Sequence, residues 1–211
     1  MIFENRNQNY RQVFKTSYTK FIVSPRLLVW TDCSESSDQS TTTTGFVIKD
    51  EYHNWPPLIG SNVYDKEHPL IIDSHKYERI HNSKGEVMAG IESLNALIDY
   101  CDVFRLNPKE CVIEMKTDFN YLKRIINGKF NKNEENKEKK ILIDELRKVQ
   151  KKFNKVNCEE IERCTNIAHN ICLFKMREYT GNESYNRIIK SFYDIYENPE
   201  ELCIIKVPAL A

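Results

Sequence analysis

The sequence predicts an α/β fold: a mixed five-stranded sheet flanked by helices, with N- and C-terminal extensions. Two observations predict it. Three strand-like apolar runs precede the first helical run, which is the pattern of an antiparallel hairpin unit. Strand-like and helical runs then alternate, which is the pattern of parallel strands added through helical crossovers. At 211 residues the chain is long enough to bury a substantial core as one domain. That domain is expected over residues 25–178, between an N-terminal arm at 1–24 and a C-terminal helical extension at 179–211.

The arm carries Phe3, Tyr10, Phe14, Tyr18 and Phe21 with no clear period, and Pro25 ends it. Residues 27–32 form a short continuous apolar run, the signature of a buried strand. Residues 33–44, rich in Ser and Thr, read as a loop into a strand over 43–49, where Gly45 allows a tight approach. Residues 50–69 hold Trp55, Pro56, Pro57 and Gly60 and read as a long connection. Residues 70–80 read as the third strand.

Ser83 reads as a helix N-cap with Glu86 as its capping-box partner. The helix over 84–100 has its apolar stripe at Met88, Ile91, Leu94 and Ile98. Asn107-Pro108 breaks the chain before a strand over 111–117. A short helix follows through Tyr121, Leu122, Ile125 and Ile126, ended by Asn127-Gly128. After a charged loop at 131–140 comes a helix with stripe Leu142, Leu146, Val149 and Phe153. Residues 158–163 read as a short edge strand. The next helix carries Ile167, Ile171 and Phe174. Ser184 caps a last helix with stripe Ile188, Phe192 and Ile195, ended by Pro199, and 202–207 is an apolar tail with strand character.

Lys+Arg and Asp+Glu both number 31, so no global field draws the chain to nucleic acid or anionic lipid. A polyanionic partner must be met by a local patch. The candidates are Lys123, Arg124, Lys129, Lys132, Lys139 and Lys140, interleaved with Glu134, Glu135 and Glu138. Their plain reading is a solvated face. The seven cysteines are odd in number and contain no C-x-x-C pair, which points to reduced core thiols in an intracellular protein, nuclear or cytoplasmic. Arg6, Arg11, Lys15 and Lys20 against Glu4 keep an organelle open. No apolar stretch approaches the roughly 20 residues of a membrane span, so no membrane partner is expected.

Three acids stand out. Asp32 closes the first apolar run, Glu86 opens the amphipathic helix, and Asp118 closes the strand-like run after Cys111. Strand end, helix start and strand end can bring three hard oxygen ligands onto Mg²⁺ from distant parts of the chain. A two-metal site of this kind cleaves phosphodiester bonds. Asp32 is hard to explain as filler, because an unpaired buried carboxylate is costly. The plainer readings are a capping role for Glu86 and a helix cap for Asp118. Glu92 faces elsewhere on the helix and is the fallback acid. His53, His68, His75 and His81 have no partner spacing and read as structural.

These residues resemble ribonuclease H of type 1 and the wider ribonuclease H-like, retroviral-integrase-like superfamily. Thr31-Asp32-Cys33-Ser34 is similar to the family's T-D-G-S, with Cys33 for glycine. The segment from Asn82-Ser83 through Glu86 and Ala89 to Ile91 is similar to N-N-x-x-E-L-x-A-x-x. Thr117-Asp118-Phe119-Asn120-Tyr121 is similar to T-D-S-x-Y. The stretch Asn166 to Cys172 is similar to the start of the family's last helix, N-x-x-A-D-x-L-A, with His169 at the fourth carboxylate. The resemblance covers roughly residues 26–178.

It implies a nuclease that hydrolyses the RNA strand of an RNA–DNA hybrid with two Mg²⁺ or Mn²⁺ ions. Asp32, Glu86, Asp118 and His169 would be catalytic and metal-binding. Backbone groups near Cys33 and Ser34, with Asn82 and Ser83, would contact the RNA strand and Asn120 the other strand, while Lys123 and Arg124, from the basic candidates above, would meet phosphate. His169 would hold the second ion or shuttle a proton. The loop histidine and the basic handle of many members have no counterpart here. The alternative is a catalytically inactive ribonuclease H-like module that binds nucleic acid or a protein partner, with the C-terminal extension as the partner surface. A nuclease acting on structured RNA or DNA is a further rival.

Overall fold

Apolar and β-branched residues at alternate positions build three strands in succession: β1 (Arg26–Glu35), β2 (Thr41–Asp50) and β3 (Leu58–Asp65). The computed structural model describes residues 25–36, 40–52, 57–65, 81–130, 137–181 and 203–205. After the hairpins come α1 (His81–Phe104), β4 (Val112–Thr117), α2 (Asn120–Ile126), α3 (Lys137–Gln150), β5 (Lys155–Glu160), α4 (Ile167–Thr180) and β6 (Cys203–Ile205). The sheet order is β5-β4-β1-β2-β3-β6. The β1–β2 and β2–β3 pairs are antiparallel, and β4, β5 and β6 add in parallel. The mixed sheet predicted from element order is therefore present, with a sixth short strand outside β3.

The two faces of the sheet follow from strand alternation. Leu27 and Val29 of β1 and Phe46 and Ile48 of β2 pack under α1 with Met88, Ile91 and Leu94, and α3 closes this side with Leu142, Leu146 and Val149. Each such fully buried side chain contributes roughly 1.5–3 kcal/mol of transfer free energy. On the other face Trp30, Val47 and Ile59 meet Ile167 and Ile171 of α4.

Two glycines let helices come close at one end of β1. A Cβ on Gly85 of α1 would lie 2.8 Å from Cys33 Sγ, and one on Gly45 would lie 2.8 Å from Cys172 Sγ of α4. The tight approach expected at Gly45 is thus real. Both helices close on the segment of β1 that holds Asp32.

Several local expectations are corrected. Residues 33–44 are mostly strand, because Thr43 and Thr44 find buried partners: Thr43 donates to Cys172 O at 3.0 Å and Thr44 donates to Glu92 Oε2 at 2.6 Å. The connection expected over 50–69 contains β3. Gly60-Ser61-Asn62 has the composition of a turn, yet Gly60 faces the Phe46 ring across the β2–β3 pair. Residues 70–80, expected as the third strand, lie outside the described residues, as do the arm at 1–24 and the helix capped by Ser184. Ser83 is not an N-cap: α1 begins at His81. Packing of Gly85 on Cys33 and Thr42 carries the helix past the local cap signal. The edge strand expected at 158–163 starts earlier, at Lys155.

Candidate metal centre

β1 and β4 run parallel as neighbours, so their carboxyl ends lie side by side. Asp32 sits near the end of β1 and Asp118 directly follows β4. Glu86, in the second turn of α1, reaches the same place because Gly85 lets the helix sit on Cys33. Oxygen atoms of Asp32, Glu86 and Asp118 all lie within 4.8 Å of one another. Asp32 and Glu86 are each only 2 % exposed, and Asp118 is half-buried.

Burial and mutual repulsion set the electrostatics. Burial holds the Asp32 carboxyl above its ordinary range; the His169 hydrogen bond pulls it down and the Asp118 charge pushes it up. Burial pushes Glu86 well up, followed by the charges of Asp32 and Asp118. The thiols of Cys33 and Cys172 are pushed well up by burial and then by these same carboxylates. Glu86 Oε2 is buried without a hydrogen-bond partner among the described residues. An unpartnered buried oxygen inside a cluster of like charges is expensive unless a cation supplies the missing charge.

The start of α4 completes the surroundings. Asn166 caps the helix by accepting from Ala168 N at 3.3 Å. Its Nδ2 donates to Thr31 O and to Asp118 Oδ1, both at 3.1 Å. His169 Nδ1 lies 2.6 Å from Asp32 Oδ2, and Arg163 Nε donates to His169 Nε2 at 3.4 Å. Since Arg163 can only donate, Nε2 accepts, and Nδ1 carries the hydrogen that Asp32 accepts. Cys172 Sγ donates to Asp32 O at 3.2 Å. The three-carboxylate group does not include His169, which joins through its bond to Asp32.

No family model matches the sequence, and no curated protein sequence matches it. Solved structures do match. The ribonuclease H1 of the halophilic archaeon Halobacterium salinarum is similar with a TM-score of 0.51 at 16 % identity, covering 70 % of this chain and 93 % of that one. The N-terminal ribonuclease H domain of Rv2228c from Mycobacterium tuberculosis, solved as a fusion with maltose-binding protein, is similar with a TM-score of 0.52 at 10 % identity, covering 74 % and 98 %. The chain has a ribonuclease H-like fold.

The ribonuclease H-like core is the five strands β3-β2-β1-β4-β5, with β6 outside it. Within it the three acids singled out in the sequence come together, and Glu92 does not join them. Glu92 is fully buried six residues further along α1, where Thr44 and Tyr64 donate to it.

The expected nucleic-acid contacts are scattered. The side chains of Cys33, Ser34 and Ser83 are buried, and that of Asn82 lies outside the described residues. Asn120 and Arg124 are exposed. Lys123 is not a free cation, because it pairs with Glu160 at 2.7 Å. Lys139 lies over the Tyr121 ring. Asn166 and Arg163 were missed as site residues. Asn166 stood in a quoted motif, yet its contacts with β1 and Asp118 are visible only once the strands are placed. Arg163 carried no signal beyond its position before the last helix.

Proposed function

We propose that the chain is a metal-dependent endoribonuclease that hydrolyses the RNA strand of an RNA–DNA hybrid. The observation that supports it best is the convergence of Asp32, Glu86 and Asp118 at the ends of two parallel strands, with Glu86 Oε2 unpartnered. The donor set fits hard divalent cations, since every ligand atom is a carboxylate oxygen. Asp32, Glu86 and Asp118 would hold Mg²⁺ or Mn²⁺. Two such ions, when bound, supply an activated water and stabilise the leaving 3′-oxygen.

The chain's own residues do the rest. Asn166 orients Asp118, and His169 fixes one oxygen of Asp32. His169 would also move a proton during product release or, by giving up the Arg163 bond at Nε2, add an imidazole ligand to the second ion. Hybrid choice would come from A-form shape and 2′-hydroxyls. The backbone near Cys33 and Ser34, with Asn82 and Ser83, is assigned to the RNA strand. Asn120 is assigned to its partner strand, and Arg124 and Lys123 to phosphate, Lys123 by exchanging Glu160 for it.

The second reading is a catalytically inactive module that binds nucleic acid, or a protein through its C-terminal extension. Imidazole at the fourth position, bonded to Asp32, favours it. No helix among the described residues is long and apolar enough to cross a membrane.

The test is cleavage of a labelled RNA–DNA hybrid with Mg²⁺ and with Mn²⁺, with Asp32→Asn and Asp118→Asn as controls. Cutting of the RNA strand alone, lost in both controls, is expected. An intact but bound hybrid under both metals would favour the inactive module. Cutting of duplex DNA or plain RNA would favour another nuclease.

A further inference from the structure

A centre of three carboxylates repels the phosphodiester it is meant to hold. A cation at its rim offsets that repulsion, and Arg163 stands there. It opens a short 3-10 turn, Arg163–Thr165, just before α4. Its side chain is 64 % exposed, and its Nε lies 3.9 Å from Asp118 Oδ2.

The way Arg163 is held separates two roles. An arginine that serves only as counter-ion to a carboxylate presents its fork to it, two parallel N–H bonds at short distance. Here the nitrogen closest to Asp118 is Nε, at the outer limit of an ion pair, and the same atom donates to His169. Among the described residues no hydrogen bond holds the two terminal nitrogens. An exposed pair of that kind contributes little to stability. The guanidinium is therefore steered by its Nε, with its fork left for an anion arriving from solvent.

We propose that Arg163 is a phosphate clamp at the mouth of the acidic centre, its terminal nitrogens gripping one backbone phosphate of the substrate bidentately while His169 and Asp118 hold Nε. This rests on the nuclease reading for the place of the phosphate, and not on which duplex is cut.

The experiment measures duplex binding against salt. Wild type, Arg163→Gln and Arg163→Lys are titrated with an RNA–DNA hybrid, a DNA duplex and an RNA duplex in Ca²⁺, with strands checked as intact on a gel. The free proteins are titrated with Mn²⁺ by electron paramagnetic resonance. One lost phosphate contact lowers the slope of log K against log salt by about 0.9. Arg163→Gln is expected to lose about that slope on every duplex that binds. Arg163→Lys should keep the slope while losing affinity through the missing fork. Mn²⁺ affinity should hold or tighten in Arg163→Gln, since a neighbouring positive charge is gone.

An unchanged slope in Arg163→Gln overturns the proposal, and a collapse of Mn²⁺ affinity alongside it marks a structural counter-ion. Failure of all three duplexes to bind wild type overturns it too. If only the DNA or the RNA duplex binds, with the slope loss present, the clamp stands and the hybrid reading falls.

Discussion

Replacing Asn166 by Ala should do more than an exposed cap would suggest. The residue is 2 % exposed and makes three hydrogen bonds to three different parts of the fold. Loss of the cap costs about 1 kcal/mol. Leaving the buried Thr31 carbonyl short of a donor costs about 1 kcal/mol more, and the charge-assisted bond to Asp118 about another, since water reaches that carboxylate in part. The sum is roughly 3 kcal/mol, which lowers the thermal midpoint by about 6–12 °C for a chain of this length. Asn166→Asp separates the terms. It keeps the cap but turns a donor into a carboxylate facing Asp118, so its metal-free midpoint should fall and Mg²⁺ should restore more of it than in wild type. Thermal unfolding by circular dichroism, with and without Mg²⁺, checks both. An Ala variant within about 0.5 kcal/mol of wild type would refute the view that Asn166 ties α4 to the acidic centre.

Three other predictions probe the same architecture. Burial raises the Glu92 carboxyl above its ordinary 4.5. Its contribution to stability is thus present below that value and lost as pH rises through the folded one. Glu92→Gln should flatten the fall of the midpoint as pH rises above 4.5, and an unchanged slope would count against a buried charge there. Gly85→Ala drives a methyl to 2.8 Å from Cys33 Sγ and 3.0 Å from Thr42, costing about 1–3 kcal/mol. Cys33→Ala should recover much of that in the double variant, and additivity in chemical denaturation would show that the two do not touch. His169→Asp adds a fourth negative charge beside Asp32. Its metal-free midpoint should fall and its rise with Mg²⁺ should grow, and equal rises in variant and wild type would sink the idea that imidazole spares the empty centre a charge.

The centre was legible in the sequence because each acid closes or opens an apolar run, where a carboxylate has no packing reason to be. Strand β4 and helices α1 to α4 were legible for a related reason: their apolar periods are long enough to outweigh local exceptions. β3 was not, because Gly60, Ser61 and Asn62 have turn composition, and only the Phe46 ring opposite explains the glycine. The start of α1 was missed because Ser83 is a strong local cap signal overridden by burial against β1 and β2. The polar fringe was the least legible part. Lys123 looks like any exposed cation until Glu160 appears beside it. Asn166 and Arg163 owe their meaning to Asp118, nearly 50 positions away in the chain.

The spacing within α4 shows how the helix is tied to β1. Asn166, His169 and Cys172 are three residues apart, so they form one stripe of the cap and first turns. All three touch the same two residues' length of β1: Asn166 at Thr31 O, His169 at the Asp32 carboxylate, Cys172 at Asp32 O. The third contact depends on Gly45, which pairs with Asp32 in the sheet and leaves room for the Cys172 sulfur. A carboxylate so gripped through its own backbone, its neighbour's backbone and one of its oxygens has little freedom to turn away from Glu86 and Asp118. Its repulsion from them is thus held in place by α4 rather than relaxed by rotation. That is the condition for a preorganised centre, in which the cost of crowding charge is met by the fold before any ligand arrives.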